Sequence, residues 1–484
     1  MLDGCTPWPE VFVDRYRAAG HWRGHTLDDL LRGWALEYGP RTALVQGDTR
    51  LTYARLNRRV ERMAAGFRLR GLRPGQRVVV QLPNVPELVV TAFALMRAGA
   101  IPVFCPLSYR AAQVSQAARV SEAVGYVGPS TYEGVDHRAT AADIAARWPF
   151  LRRVFIYEEP GTSSPYGGLA TDPSGCHYFP LDSVDAPPDR PLARSADEVA
   201  FLLLSAESAE SAESDKADQA DKADESDESD ESDKADQADK AAGTAATTPR
   251  LVPRTHDDYA YQLRAAAESI PLTEHDVYLA ALPAEFTLTF GCPGILGTLS
   301  VGGTAVLAEK PTPAECFALI ARERVTFTSV VSEVARRWLE ELPKTQADLS
   351  SLRLIQLGGA PADRGTARQL GTDLACRVQQ LYATPEGLLV LTPPAAPDDA
   401  ALATHGRPLS PDDEIRVVDA DDNDVPPGTP GELLVRGPHT PRGHYRAPDH
   451  TTHAFTHDGY LRTGTVARSS ETGALTVTGR LAEA

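Results

Sequence analysis

The stretch RVVVQLPNVPELVVTAFALMRAGAIPVF, Arg77 to Phe104, decides the fold class. Its first part, RVVVQL (Arg77 to Leu82), is a β-branched run bounded by Gly75 and Pro83, as a strand buried on both faces should be. Leu88 to Phe104 is the most apolar part of the chain, but Arg97 and Pro102 interrupt it. It is too short and too broken to span a bilayer. It reads as a buried helix followed by a second strand, Ile101 to Phe104. Strand, buried helix and strand in succession predict α/β architecture with parallel sheets.

The same grammar extends in both directions. Leu51 to Leu69 has helical spacing, with Leu56, Val60, Met63, Ala64 and Phe67 on one face. FLLL (Phe201 to Leu204), Val325 to Val331, Leu352 to Leu357 and Arg377 to Tyr382 read as further strands. From Asp413 onward the strands EIRVVD, GELLVRG and ALTVTG are short and punctuated by Pro and Gly, which suits a small β-rich unit. The chain has 484 residues, more than the roughly 100–200 of one compact domain, so two or three packed units are expected.

Residues 206–241 interrupt this pattern. SAE repeats three times in tandem from Ser205 to Glu213, and ESD three times from Glu225 to Asp233. DKADQADKA occurs at Asp215 to Ala223 and again at Asp233 to Ala241. Fifteen acids and four lysines give the segment a net charge of −11, out of −18 for the whole chain. It has no aromatic or β-branched residue with which to bury surface, so it reads as a disordered acidic insert. The remaining −7 is ordinary for an enzyme. Neither part offers the basic surface that nucleic acid or an anionic membrane needs. The six cysteines are scattered without a CxxC pair, and the N-terminus lacks the apolar core of a signal peptide. Both features suggest a cytoplasmic protein with reduced thiols.

Several stretches, taken together in order and spacing, carry a specific resemblance. They are WPEVFVDRYRAAGHW from Trp8, IPVFCPLSYR (Ile101 to Arg110), PRTHDDYAYQ (Pro253 to Gln262), and GRPLSPDDEIRVVD with the downstream GELLVRGPHTPRGHYRAP. The chain resembles the stand-alone ligases that activate aromatic acids such as 2,3-dihydroxybenzoate for siderophore and antibiotic assembly. These are similar to acyl-CoA synthetases, peptide-synthetase adenylation domains and firefly luciferase. The resemblance runs from Trp8 to Arg480 outside the acidic segment. It implies the large N-terminal domain of adenylate-forming enzymes: two stacked αβα subdomains and a small β-barrel subdomain. Along the chain this predicts a first α/β subdomain at 1–205, the insert at 206–241, a second α/β subdomain at 242–392 and the β-rich subdomain at 393–478. A truncated hinge at 479–484 is expected to end the match, with the family's mobile C-terminal domain absent from this chain.

The implied reaction joins a carboxylate to the α-phosphate of Mg-ATP, so the site must align two anions and neutralise developing charge. The family's phosphate loop is matched by Gly243 and Thr244 but keeps one glycine of three, and Arg250 stands in place of a lysine. Arginine binds phosphate with a forked geometry of its own. The insert within this loop lengthens it about fivefold, at roughly 1.4 kcal/mol of closure entropy. Its charge should repel Mg-ATP, less so in salt. Gly358, Gly359 and Ala360 match a turn against adenine and the acyl group. Tyr382 and Glu386 match the ends of a YGxTE motif, here YATPE, in which the glutamate holds magnesium and contributes to catalysis with Arg250. Pro385 removes a backbone N–H from that motif and predicts an altered loop. Thr465 stands where the family's TGD aspartate binds the ribose, and Arg480 matches an arginine near the hinge. In the acid pocket, Phe286 and Thr287 replace His-Asn ahead of Cys292.

These departures predict a degenerate aryl-acid ligase. It would bind a small aromatic carboxylic acid or its acyl-adenylate, with Mg-ATP use impaired and a carrier protein or other pathway protein as its partner. Two alternatives stand beside it. One is an active ligase with an unusual acid and its C-terminal domain missing from this chain; the other is a scaffold docking through the acidic loop. The family suggests a monomer or a homodimer.

Overall fold

The computed structural model describes residues 2–159, 170–172, 174–205, 249–359, 364–393, 396 and 401–481. Arg77 to Phe104 folds as the strand Arg77–Val80, the helix Pro86–Ala98 and the strand Ile101–Phe104. The two strands are parallel neighbours, with Val79 opposite Val103. Pro86 opens the helix, where its missing N–H leaves no bond unmade. Gly99 closes it in the left-handed conformation at φ +82°. Every helix residue except Glu87 is buried, as a helix that is apolar all round requires. Arg97 is buried there too, ion-paired with Asp28 and donating to Asn57 Oδ1 at 2.7 Å. The charge that interrupted the apolar run is thus neutralised inside the core.

Among the described residues this unit sits in an eight-stranded sheet. Its parallel centre runs Val199–Leu204, Ile101–Phe104, Arg77–Val80, Gly125–Pro129, Arg153–Tyr157 and His177–Pro180. Leu251–Thr255 joins one edge antiparallel. A nine-stranded sheet has Arg377–Ala383, Leu354–Gly358, Phe327–Val331, Val277–Ala280, Thr304–Leu307 and Thr42–Gln46 as its parallel centre. The strands read from sequence at Val325, Leu352 and Arg377 are the middle of this second sheet.

Period-two alternation puts both sheets to work on two faces. Val78 and Val80 point into a core that also holds Leu44, Tyr278 and Ala280 of the second sheet, with the Pro86–Ala98 helix in it. Val79, between them, points to the opposite face, under the helices Ala111–Ser121 and His137–Arg147. The second sheet has its own outer core around Phe317 and Trp338. A four-stranded antiparallel sheet, Glu414–Val418, Gly431–Arg436, Leu461–Ser469 and Leu475–Arg480, packs Val417 and Leu433 against Leu388 and Val390.

The sheets are not contiguous in the chain. Thr42–Gln46 and Thr49–Thr52 complete the second sheet, Leu251–Thr255 completes the first, and Arg407–Pro408 still belongs to the second. The last strand runs through Gly479 and Arg480, which pair with Val466 and Thr465. The predicted linear division is therefore crossed wherever a strand finds its ladder partners in another segment. Among the described residues no helix is long and apolar enough to cross a membrane.

The Arg97–Asp28 pair makes a stability prediction. Asp28→Ala removes the near partner of a buried guanidinium, leaving only Glu61 at 3.8 Å, and should cost about 3 kcal/mol. The double variant Asp28→Leu/Arg97→Met should cost much less. Urea denaturation of the three proteins gives the comparison; equal losses in the single and double variants would contradict the pairing.

Candidate active site

The site is built where the two large sheets meet. Leu251–Thr255 pairs antiparallel with Val199–Leu204, Leu204 facing Leu251. The Ser205 N–H donates to the Arg250 carbonyl at 3.0 Å. The chain therefore leaves for the acidic segment and returns from it at one end of this ladder. Gly243 and Thr244, expected in the phosphate loop, lie outside the described residues, as does Ala360.

After Leu251–Thr255 comes the helix His256–Ser269, opened by a reciprocal capping box between Thr255 and Asp258. Asp258 also accepts from Arg254 Nε at 2.9 Å. Arg254 is wholly buried and donates as well to Gln262 Oε1 at 2.7 Å and to the Pro385 carbonyl at 3.1 Å. Gln262 donates in turn to the Gly387 carbonyl at 2.6 Å. The edge of the first sheet thus grips the turn that follows Arg377–Ala383 in the second. Within that turn Gly387 N–H donates to Thr384 and Thr384 N–H to Leu388, both at 3.0 Å. Neither bond needs an N–H from residue 385. Pro385, expected to disturb the loop, instead offers its carbonyl to the clamp. Gly387 sits at φ +108°, and a Cβ there would lie 2.4 Å from the His439 carbonyl oxygen, so the close approach admits only glycine.

Two cavities meet at this turn. One, of about 270 Å³, is mainly apolar; Phe104 and Leu203 come from the first sheet, and Phe286, Thr287, Leu288 and Leu381 face them. Gly359 lines it in the left-handed conformation, φ +88°. The other, of about 230 Å³, is polar and carries Tyr382, Glu386, His444, His450, Thr463 and Arg480. Ser205 and Thr384 line both. The hydroxyls of Thr287 and Thr384 are buried without a hydrogen-bond partner among the described residues. Such orphans cost about 1–3 kcal/mol each, so they point to a bound group.

The polar cavity has a defined charge state. Burial pushes the Glu386 carboxyl up, but the His444 hydrogen bond and charge, its own backbone N–H and Arg254 together hold it below the ordinary value. It is a largely buried carboxylate, 13% exposed, that stays ionised. Burial, aided by the charges of His444 and Arg250, lowers His450 to about 4, so it is a neutral imidazole at pH 7. The His444 and His450 rings meet edge to face at 4.8 Å. Tyr382 and Thr465 share a hydroxyl–hydroxyl hydrogen bond of 2.7 Å. Thr465 is only 2% exposed and lies opposite Arg480 on the neighbouring strand.

Four predicted positions line neither cavity: Arg250 and Thr465 sit beside His450 and Tyr382, which do, while Cys292 and Gly358 lie further back. Cys292 is fully buried in the central core, not at a cavity wall, and burial raises its thiol to about 12. Gly358 ends its strand behind the cavity, where a Cβ would meet Leu288 and Leu381 at 3.0 Å. Sequence reasoning assigned no role to Glu285, Arg254 or His444. Arg254 and Asp258, four residues apart in PRTHDDYAYQ, were the available signal for the clamp; nothing local marked His444.

The sequence pattern of the AMP-binding enzyme family, described as "AMP-binding enzyme", matches residues 31–445. The chain belongs to this family. It is 37% identical over 481 residues to the 2,3-dihydroxybenzoate-AMP ligase of Bacillus subtilis, spanning 99% of this chain and 79% of the relative. The salicyl-AMP ligase / salicyl-S-ArCP synthetase of Mycobacterium tuberculosis is also 37% identical, over 99% of this chain and 77% of its own length. Among solved structures, MbtA of Mycobacterium smegmatis without ligand superposes with a TM-score of 0.83 at 36% identity, over 99% of this chain and 80% of that one. The chain is thus of the adenylate-forming type whose relatives are aryl-acid AMP ligases.

The acidic segment follows directly after Ser205, which borders both cavities. Deleting residues 206–241 should tighten Mg-ATP binding several-fold in about 20 mM salt, and the gain should shrink toward none at about 0.5 M as screening shortens. Titration calorimetry at the two salt levels reads this directly; a gain that ignores salt would point to a steric effect of the loop.

Proposed function

We propose that this chain activates an aromatic carboxylic acid by adenylation, with the acid in the apolar cavity and Mg-ATP in the polar one. The observation that carries this reading is the junction at Ser205 and Thr384, where an apolar chamber opens onto a polar one holding a charged carboxylate. In the reaction an acid carboxylate oxygen forms a bond to the α-phosphorus, the bond to the β-phosphate's bridging oxygen breaks, and pyrophosphate leaves. Binding both anions at one junction converts a bimolecular encounter into a positioned one. Thr287 would hydrogen-bond a ring substituent, and Phe286 would wall the ring. Arg250 and Arg480 would counter phosphate charge.

The residues fit one magnesium ion. Glu386 is ionised and lines the polar cavity, and magnesium commonly takes one or two protein carboxylates with its other ligands from phosphates and water. Bound there, the ion would neutralise charge on the phosphates. Tyr382 and Thr465 would meet the nucleoside. Thr465 is the weak point: its hydroxyl is neutral and already bonded to Tyr382, whereas charge-assisted bonds contribute about 1.5–3 kcal/mol each. Nucleotide affinity should therefore be low while the chemistry is retained. The altered phosphate loop and Thr465 favour a second reading, in which adenylation is lost and the site works on an acyl group activated elsewhere. The intact clamp around Glu386 supports the first.

Pyrophosphate release against a panel of aromatic acids tests the two. We expect acid-dependent release with a millimolar KM for ATP, and Thr465→Asp should lower that KM about 10- to 100-fold. No release at any ATP concentration, together with binding of a preformed aroyl-adenylate, would establish the second reading instead.

A further inference from the structure

A third cavity, of about 290 Å³, lies beyond Phe286, which is 41% exposed and lines both chambers. Pro106 and Glu285 are shared in the same way. Glu285 is 8% exposed. Its carboxyl has no cationic partner among the described residues; the one interaction resolved for it is with its own backbone N–H. Around the third cavity the acids Glu133 and Glu309 stand against a single cation on the wall, Arg110. Arg110 makes no resolved contribution at Glu285. The neighbours that do sense the Glu285 charge are Cys105 and Tyr132, and neither supplies a positive charge.

We propose that the acid site continues past Phe286 into this third cavity and that Glu285 binds a basic amine carried at the far end of the aromatic acid. The assignment rests on the aryl-acid reading of the apolar cavity. Three observations carry it. The first is room: a cavity of about 150 Å³ holds benzene, so the first chamber exceeds one ring and the third extends it further. The second is the missing partner. An ionised carboxylate is buried at large cost unless paired, and burial alone pushes Glu285 up to about 8. A structural carboxyl in this position would have a cationic partner; this one, among the described residues, accepts only from its own backbone N–H and borders two cavities. The third is the sign of the surrounding charge, which favours an ammonium group over a neutral or anionic substituent.

The chemistry of capture follows. At pH 7 the Glu285 carboxyl is mostly protonated, and an incoming amine is an ammonium ion. Pairing them as carboxylate and ammonium sends the carboxyl proton to solvent. Binding an amine-bearing acid should therefore release a proton that binding benzoic acid does not.

The test is calorimetric titration of the full chain, in two buffers of different ionisation enthalpy, with benzoic acid, with 3- and 4-(aminomethyl)benzoic acid, and with the isosteric 3- and 4-ethylbenzoic acids. At least one amine should bind 10-fold or more tighter than its ethyl isostere, with close to one proton released. Glu285→Gln, which keeps the volume, should abolish the proton release and most of the preference. Glu285→Leu should reverse the preference toward the ethyl acid. Equal binding of amine and isostere, or a preference that survives Glu285→Leu, overturns the Glu285 assignment while benzoic acid binding leaves the aryl-acid reading standing. Failure of every acid to bind overturns both.

Discussion

The buried guanidinium of Arg254 is the constraint on which the site depends. A wholly buried charge is tolerable only when it is paired and its donors are used. Arg254 meets that condition through Asp258, Gln262 and the Pro385 carbonyl. Burial pushes the Asp258 carboxyl up while Arg254 pulls it down, so neither partner is comfortable without the other. Because Asp258 and Gln262 lie on the helix that follows Arg254 while the third acceptor is a turn of the other sheet, the full set of Arg254 donors is used only when the two sheets are docked. The position of Glu386, next in the chain to Pro385, follows from that docking.

A second polar tie fixes the small sheet. Tyr261 donates to Asp413 at 2.9 Å, and His439 contacts the same carboxylate at 2.8 Å. The N-terminal aromatic group Trp8, Phe12, Tyr16 and Trp22 packs edge to face, with Arg436 and Arg442 over its rings. These residues come from the same sequence stretches that carry the family resemblance. In this chain these stretches hold the three sheets together. This separates two questions: the docking residues speak for the fold, and the cavity residues speak for the substrate.

Much of the fold was legible because both large sheets are parallel and buried on two faces. Short β-branched runs bounded by turn residues mark such strands directly, and Arg77–Val80, Ile101–Phe104, Phe327–Val331 and Leu354–Gly358 all lie where the runs do. Which sheet each strand joins was not legible, since that depends on partners hundreds of residues away; Thr42–Gln46 beside Thr304–Leu307 is the clearest case. In the site, Phe286, Thr287, Gly359, Tyr382, Glu386 and Arg480 reach the two cavities, whereas Cys292 does not. Cys292 is next to pocket residues in sequence, but the turn after Phe290 carries it into the core. At Pro385 the missing N–H leaves no bond of the turn unmade, and the clamp uses its carbonyl. Glu285 went unnoticed because a lone glutamate has no pattern. Its meaning comes from the two cavities on either side of it.

In the proposed reaction, acid and nucleotide meet at Ser205 and Thr384. The crystal structure of the chain with a non-hydrolysable aroyl-adenylate mimic, an aroyl sulfamate of adenosine, tests it most directly. The ring is expected between Phe286 and Thr287, the linker at Ser205 and Thr384, and the ribose beside Tyr382 and Thr465. A mimic bound with its ring outside the apolar cavity, or one that fails to bind at millimolar concentration, would contradict it.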